Sequence, residues 1–238
     1  MTAGTGFTLF IPVYNEEALL VPNVNRLVSF LGDTGIPFEI LIGSNGSTDG
    51  SLNLLKQLSL KHGAVRYFGL PQKGVGAAFR EGVLRARYDR IITVDMDLSI
   101  HLDFIPHAYR LLDRYDMVIG SKITGSQRRS WVRKAASGAF IVLARLMLNI
   151  YFHDYSIAAK AYRRETAQRY LPFLDDKTFY VVQMVYRASL EGKRLKEVPV
   201  ACEDLRSSRF NLIHEGVYKF GNLFLLWLGS RRRRGVGA

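Results

Sequence analysis

Residues 7–45, FTLFIPVYNEEALLVPNVNRLVSFLGDTGIPFEILIGSN, contain an apolar run, an amphipathic segment and a second apolar run. The first run, 7–13, and the last, 38–45, have the length and composition of buried strands. Residues 16–35 between them have the apolar spacing of a helix, with glycines near its end. A strand, a helix and a strand in this order are typical of parallel strands joined by a crossover helix. This stretch therefore predicts an α/β fold.

The same alternation continues along the chain. Further strands are predicted at 65–70, 90–97 and 116–121, and further helices at 48–63, 74–88 and 102–115. Ser47 or Thr48 is expected to cap the second helix. The pattern predicts a Rossmann-like, mostly parallel sheet with helices on both faces. The rest is less regular, with one long or two short helices at 130–152, strands at 157–164 and 194–202, and helices at 179–192 and 211–229.

The composition fits a globular domain and a partner of negative charge. The chain has 238 residues, of which 48% are hydrophobic, and its net charge is +12. Such a charge attracts nucleic acid, an acidic membrane or a phosphorylated substrate. The sequence has no helix-turn-helix, zinc-finger or aromatic RNA-binding signature, so we expect no nucleic-acid partner. One cysteine, Cys202, excludes an intrachain disulfide.

Polar clusters follow four of the predicted strands. They are Tyr14-Asn15-Glu16, Ser44-Asn45-Gly46, Asp95-Met96-Asp97 and Ser121-Lys122. Ligands of open α/β sheets bind at the carboxyl ends of the strands, so these clusters predict one shared site. Two aspartates at a turn after a strand can both reach a hard cation such as Mg²⁺ or Mn²⁺, which carries diphosphates. As a bare motif the pair is weak, and a solvated strand end before a helix remains the alternative.

Several stretches in this order resemble the catalytic domain of glycosyltransferase family 2. They are IPVYNEE, GSNGSTDGS, KGVGAAFREG, VDMDLS and VIGSK. The stretches 131–137, 154–164 and 191–200 are similar to those of the polyprenyl-phosphate glycosyltransferases, of which dolichol-phosphate mannose synthase is the type. The likeness covers residues 7 to about 210.

The resemblance implies a GT-A fold and an inverting, metal-dependent enzyme that uses Mg²⁺ or Mn²⁺. The expected reaction moves a sugar, mannose or glucose, from a GDP- or UDP-sugar to a polyprenyl (dolichyl or undecaprenyl) phosphate. The donor sugar, the length of the lipid, the anomeric product and the oligomeric state stay open.

The resemblance also implies roles for individual residues. The nucleotide is expected to contact Pro12, Tyr14, Glu16, Asn45, Lys73, Asp95, Lys122 and Arg206. The metal is expected at Asp95, Asp97 and Ser99, the acceptor phosphate at Arg133 and Ser137, and the catalytic set is Asp95, Asp97, Arg133 and Asp154.

Some positions depart from the family pattern. Ser44-Asn45 stands where the family has two acids, which leaves the base open between uracil and guanine, with cytosine not excluded. Lys122 stands where the family often has Arg. Glycines at 74 and 76 permit close backbone approach, and the start of a helix suits phosphate, so this segment is a candidate phosphate site, with a plain turn as the alternative.

The acceptor decides whether a base is needed. A lipid monophosphate is already ionised near neutral pH and requires no general base. The alternative acceptor, a sugar or glycan hydroxyl, would require one, and Asp154 is the candidate. A non-enzymatic nucleic-acid-binding protein is the rival of another class, and Asp95 and Asp97 speak against it because they would repel phosphates without a metal.

Two segments are candidates for membrane contact. Residues 138–152 are largely apolar, and 217–234 contain an apolar run followed by four arginines, which is typical of an interfacial anchor on anionic lipid. The longest apolar run, 223–228, is too short to span a bilayer, and no signal peptide is recognised. We therefore expect a catalytic domain at 1–210 and an amphipathic helix with a basic tail at 211–238, peripheral on the cytoplasmic face. Ordinary core helices are the alternative.

Overall fold

The computed structural model of the protein describes residues 5–122, 131–202 and 212–234, without the side chains of 131–136, 212–214 and 232–234. Its strands are β1 (Phe7–Val13), β2 (Phe38–Asn45), β3 (Val65–Leu70), β4 (Arg90–Thr93), β5 (Met117–Ser121), β6 (Lys160–Arg163) and β7 (Leu195–Pro199). Its α-helices are α1 (Glu17–Asp33), α2 (Ser51–Lys61), α3 (Val75–Arg85), α4 (Phe104–Leu111), α5 (Trp131–Leu148), α6 (Arg164–Tyr170), α7 (Tyr180–Leu190) and α8 (Leu212–Arg234).

The strands form one sheet in the order β3-β2-β1-β4-β6-β5-β7. All neighbouring pairs are parallel except those of β6, which runs antiparallel to both β4 and β5. The carboxyl ends of β1, β2, β4 and β5 therefore lie at the same edge of the sheet. The amino end of β6 lies at that edge too, which brings the 154–157 segment to it. The predicted mostly parallel sheet is confirmed.

Helices cover both faces of the sheet, as predicted. On one face, α1, α2 and α4 bury residues such as Leu27 and Ile105 against the side chains of β1 and β2 that point toward these helices. On the other face, α3, α5, α6, α7 and α8 contribute to a second core. Because the sheet is covered on both sides, its central strands consist of nearly continuous apolar residues.

The C-terminal helix α8 packs on α5 and on the second core. Leu223 is buried, and the rings of Phe140 and Phe220 meet edge to face with their centroids 5.5 Å apart. The expected division at 210 falls within residues outside the described ranges. None of the described helices is long and apolar enough to cross a membrane.

Two local expectations are wrong. The fourth strand ends at Thr93 rather than 97, because the chain leaves the sheet and Leu98, with φ of 51°, donates its N–H to Asp95 O at 3.2 Å in a tight turn. Helix α2 begins at Ser51, and neither Ser47 nor Thr48 caps it. Both instead hydrogen-bond to Asn15, in the loop that follows β1.

Candidate active site

The loops after β1 and β2 are held together by hydrogen bonds, several of them between uncharged groups. Asn15, with φ of 53°, accepts the Thr48 N–H on its Oδ1 at 2.8 Å, and its own N–H donates to Ser47 Oγ at 3.1 Å. The Glu16 N–H donates to Ser51 Oγ at 3.1 Å. These bonds fix the backbone beside Tyr14 and Glu16, both of which are half-buried at the carboxyl edge.

Tyr14 and Lys73 lie against each other at this edge. The Lys73 ammonium is 3.7 Å from the centre of the Tyr14 ring, which is within the range of a cation–π contact. Pro12, in β1, is half-buried nearby in the chain. The structure therefore brings an aromatic ring and an exposed cation together beside the predicted nucleotide position.

Asn45 and the start of α3 are used within the chain. Asn45 is buried, and its Oδ1 accepts the Gly74 N–H at 3.3 Å. The N–H groups of Gly76 and Ala77 both donate to Asp176 O, at 2.9 and 3.1 Å. A Cβ atom at Gly76 would lie 2.0 Å from the carbonyl oxygen of Asp175. The expected phosphate site at the start of α3 is therefore wrong for these amides, because the backbone that approaches them belongs to the chain itself.

Asp95 and Asp97 occupy the turn that follows β4. Asp95 is exposed and Asp97 half-buried, whereas Met96 and Leu98 are buried in the first core and anchor the turn. The Asn23 side chain donates to Met96 O at 2.7 Å, and the Ser99 N–H donates to Asp97 Oδ1 at 3.0 Å. The turn therefore holds both carboxylates at the surface of the edge.

These residues fit a divalent cation by the chemistry of their donors. Carboxylate oxygens are the ligands that Mg²⁺ and Mn²⁺ prefer, and Mg²⁺ in such sites is typically held by one or two carboxylates together with substrate phosphates. Within the described part of the chain no third His, Cys, Asp or Glu joins Asp95 and Asp97 in a metal-binding group. Ser99 lies beside Asp97 and is half-buried.

A buried ionic cluster lies on the other side of this edge. Asp154 is 2% exposed and Lys122 is 3% exposed. The Lys122 ammonium lies 3.8 Å from Asp154 Oδ2 and donates to Ser156 Oγ at 3.0 Å. The other Asp154 oxygen accepts the Ser156 N–H at 2.8 Å and the Ser156 hydroxyl at 2.9 Å. We call Asp154, Lys122, Ser156 and Lys160 the ionic cluster.

Asp154 is held in its ionised form. Its burial would raise its pKa, but the charges of Lys122 and Lys160 and the hydrogen bonds from Ser156 outweigh burial and hold the pKa below its usual value. A buried carboxylate with saturated oxygens and a low pKa is a poor general base. This burial does not favour Asp154 as the base of the glycan-hydroxyl alternative, and its expected place among the catalytic residues stays a prediction.

Lys160 is the site residue that sequence reasoning missed. It is fully buried at the start of β6, and its ammonium donates to the carbonyl oxygen of Ile157. Burial lowers its pKa to about 8, although Asp154 and Asp95 act in the opposite direction. The one available signal was a lysine within the apolar run IAAKAY (157–162).

The remaining predicted site residues are only partly described. Ser137 is half-buried on α5. The side chain of Arg133 and the whole of Arg206 lie outside the described residues. Their expected roles stay predictions.

Comparisons with known proteins agree with this geometry. A family model described as Glycosyl transferase family 2 matches residues 8–171. The undecaprenyl-phosphate 4-deoxy-4-formamido-L-arabinose transferase of Aeromonas hydrophila subsp. hydrophila is 30% identical over 178 residues. That alignment covers 72% of this chain and 53% of the relative, so the chain spans about half of the relative's length.

Two solved structures share the fold. Glucosyl-3-phosphoglycerate synthase from Mycobacterium tuberculosis, in complex with Mn²⁺, UDP and glucosyl-3-phosphoglycerate, has a TM-score of 0.67 at 18% identity. This match covers 95% of this chain and 81% of that one. TarS 1–349 from S. aureus, in complex with UDP-GlcNAc, has a TM-score of 0.55 at 14% identity and covers 85% of this chain and 60% of that one.

At these identities the solved structures establish the fold, and the expected GT-A fold is confirmed. The family model extends over more than half of the chain, from β1 to the end of α6, and includes the turn with Asp95 and Asp97. The chain therefore belongs to glycosyltransferase family 2.

Proposed function

We propose that the protein transfers a sugar, mannose or glucose, from a GDP- or UDP-sugar to a polyprenyl phosphate, dolichyl or undecaprenyl. The observation that carries this proposal is the turn after β4, which presents Asp95 and Asp97 at the same sheet edge as Tyr14, Lys73 and Asn45. The similar relative from A. hydrophila is named for an undecaprenyl-phosphate substrate, and the M. tuberculosis neighbour was solved with Mn²⁺ and UDP. Both support the assignment.

The reaction would be a direct displacement with inversion. An ionised oxygen of the lipid phosphate attacks the anomeric carbon, and the bond from that carbon to the nucleoside diphosphate breaks. The acceptor oxygen carries no proton, so no base is needed, which agrees with the burial and the low pKa of Asp154. Mg²⁺ or Mn²⁺ held by Asp95 and Asp97, with Ser99 beside them, would supply neutralisation of the leaving diphosphate.

Cationic side chains would bind the phosphate groups. Lys73 can leave the Tyr14 ring and reach the nucleotide, because its side chain is exposed. Lys122 would act on the diphosphate through its field from its buried place. We assign Arg206 to the nucleotide, and Arg133 and Ser137 to the acceptor phosphate. Positioning and charge neutralisation are then the main sources of catalysis.

The proposed acceptor requires contact with a lipid surface, and α5 and α8 are suited to it. Both helices expose apolar side chains, which we call the apolar patch: Val142, Leu143, Leu146, Val217, Phe224, Leu225 and Leu228. Two arginines lie over aromatic rings of these segments, Arg145 at 5.3 Å from Tyr151 and Arg231 at 4.5 Å from Trp227. We therefore propose a catalytic domain at 1–210 followed by a segment, 211–238, that rests on anionic lipid at the cytoplasmic face of the membrane.

Substitution of a metal-site acid tests the proposed function. Asp97→Ala should lower turnover of undecaprenyl or dolichyl phosphate with a GDP- or UDP-sugar by about 10²–10³-fold. The matched control is Asp103→Ala, which removes an exposed acid shortly after the same turn. Wild-type turnover that persists in EDTA, or an Asp97→Ala variant with near-normal turnover, would contradict the metal role. Turnover of a free glycan but of no lipid phosphate would instead favour the hydroxyl acceptor.

A further inference from the structure

Lys160 has a place in the sheet where a lysine is rarely found. Its backbone pairs with Thr93 of β4 on one side and with Ile119 of β5 on the other, and its side chain is 0% exposed. Lysine is almost never fully buried unless it is paired, because removing an ammonium group from water is unfavourable. A lysine kept in such a position is a reason to look for a function.

Charged groups from four different segments act on Lys160. Asp154 and Asp95 favour its charged form, whereas Lys122 and Lys219 disfavour it. Asp95 belongs to the turn after β4, Lys122 follows β5, and Lys219 lies on α8. With a pKa lowered to about 8, mainly by burial, Lys160 still carries its proton most of the time at pH 7.

The contacts of Lys160 fix its ammonium in place. It donates to the carbonyl oxygen of Ile157, at the end of the turn in which Asp154 accepts the Ser156 and Ile157 N–H groups. Thr93, the backbone partner of Lys160, is two residues before Asp95. The positive charge is therefore buried at the amino end of β6, next to the strand that leads into the turn with Asp95 and Asp97.

We propose that Lys160 is a positioning residue whose fixed positive charge, acting through Asp95, weakens binding of a divalent cation alone and strengthens binding of a nucleoside diphosphate together with that cation. This proposal rests on the proposed function, since it assumes that Asp95 and Asp97 hold the cation. A buried charge acts strongly on its neighbours because little water lies between them. The charge of Lys160 repels the cation and attracts the diphosphate. The site therefore favours the cation that arrives with a diphosphate over the cation alone.

A purely structural role for Lys160 gives a different result. If the lysine only holds the Ile157 carbonyl and the 154–157 turn, its loss should disturb the site and weaken both ligands together. The proposed electrostatic role moves the two affinities in opposite directions. The sign of the change for the cation alone therefore distinguishes the two roles.

Two variants of Lys160 separate its charge from its hydrogen bond. Lys160→Met removes both, and Lys160→Gln removes the charge but keeps a donor for Ile157 O. Lys196→Met, on the neighbouring part of the sheet in β7, removes an exposed lysine and is the matched control. The full chain is used throughout. Mn²⁺ binding is measured by electron paramagnetic resonance, UDP and GDP binding at saturating Mn²⁺ by calorimetry, and folding by thermal unfolding.

We expect both Lys160 variants to bind Mn²⁺ alone about three- to tenfold more tightly and the nucleoside diphosphate with Mn²⁺ about tenfold more weakly. The control should match the wild type. Equal or weaker Mn²⁺ binding by a folded Lys160→Gln variant would overturn the proposal and leave the proposed function intact. If the wild type binds neither UDP nor GDP with Mn²⁺, the proposed function fails and this proposal fails with it. If Lys160→Met does not fold, the Lys160→Gln result decides.

Discussion

Two parts of the carboxyl edge are built by different chemistry. In the N-terminal part, from β1 to α3, the loops are joined near the surface by the neutral bonds of Asn15 with Ser47 and Thr48, and by bonds from backbone N–H groups to the carboxylates of Glu17 and Asp49. In the C-terminal part, from β5 to α8, the ionic cluster of Asp154, Lys122, Ser156 and Lys160 is largely buried. Hydrogen bonds at a surface are exchanged with water at little cost, whereas a buried charge that loses its partner is strongly unfavourable. The two parts should therefore respond very differently to the loss of one polar side chain.

One segment connects the two parts. The carbonyl oxygen of Asp176 accepts two N–H groups at the start of α3, and the Asp176 carboxylate pairs with Arg80 of α3 at 2.7 Å. The preceding Asp175 accepts a hydrogen bond from the hydroxyl of Tyr218 on α8. Thr178 donates to Glu215 of α8 at 2.5 Å. The 175–178 segment thus contacts the nucleotide side of the edge and the helix that carries part of the apolar patch.

The largest expected effect is the difference in stability lost when one polar side chain is substituted in each part. Asp154→Asn should lower the free energy of unfolding by about 3–5 kcal/mol, because it leaves Lys122 and Lys160 buried beside a neutral amide. Asn15→Gly, which keeps the positive φ but removes the side-chain bonds, should lower it by only about 1 kcal/mol. Urea unfolding at pH 7 measures both. Equal losses would break the comparison, because they would mean that the ionic cluster is worth no more than the neutral bonds.

Unfolding at acidic pH gives a second test of the contribution of Asp154 to stability. The pKa of Asp154 is lower in the folded state than its usual value of 3.8, so its charge stabilises the fold above that pH. As the pH falls below 3.8 and through the lower folded value, the unfolded chain binds the proton first and this contribution is lost. We expect the difference in the free energy of unfolding between the wild type and Asp154→Asn to become smaller as the pH falls below 4. A difference that stays constant as the pH falls would contradict the sign of the pKa change.

The connecting segment gives the next largest effect. Gly76→Ala places a Cβ atom 2.0 Å from the carbonyl oxygen of Asp175 and 2.8 Å from that of Lys177, so backbone must move. The free energy of unfolding should fall by about 1–3 kcal/mol. Gly138→Ala is the matched control, since no atom lies within 4 Å of its added Cβ, and it should be neutral or stabilise α5 by up to about 1 kcal/mol.

Binding tests whether this segment joins the two parts in function as well. If it does, Gly76→Ala should also weaken Mn²⁺-dependent binding of UDP or GDP, because the Gly74 N–H that meets Asn45 is displaced with the start of α3. Unchanged nucleotide affinity in a clearly destabilised variant would limit the segment to a structural role.

The strands of the N-terminal part follow from local sequence. β1, β2 and β3 match the predicted 7–13, 38–45 and 65–70 residue for residue. β1 and β2 are largely apolar runs buried on both faces, β3 is a partly buried edge strand, and each pairs with a neighbour that is close in the chain. The polar ends of these strands, including Tyr14 and Asn45, do meet at one edge, as their positions indicated.

The C-terminal part depends on pairing between distant residues, which local patterns do not contain. Residues 157–164 indicated a strand, but not that β6 would lie antiparallel between β4 and β5 and bring Lys160 beside Asp154 and Asp95. The glycines at 74 and 76 were interpreted as space for a phosphate. A missing side chain, however, leaves the same space for any backbone segment that approaches closely. Only the fold reveals that the 175–177 backbone occupies this space.

The smallest expected effect compares one exposed leucine from each part. Leu225 of α8 is 65% exposed within the apolar patch, and Leu60 of α2 is 81% exposed away from it. If α8 rests on lipid, Leu225→Asn should weaken co-sedimentation with anionic liposomes by about fivefold, since partial burial of a leucine in the interface contributes about 1 kcal/mol. Leu60→Asn should have no effect.

Binding of the wild type to anionic liposomes should also weaken, without vanishing, at high salt, because the arginines act through screened charge and the apolar side chains do not. Equal effects of the two substitutions, or no wild-type binding at low salt, would reject the patch as a lipid contact. Either result would leave the GT-A fold unaffected, and the proposed chemistry of Asp95 and Asp97 would then be tested with a soluble acceptor.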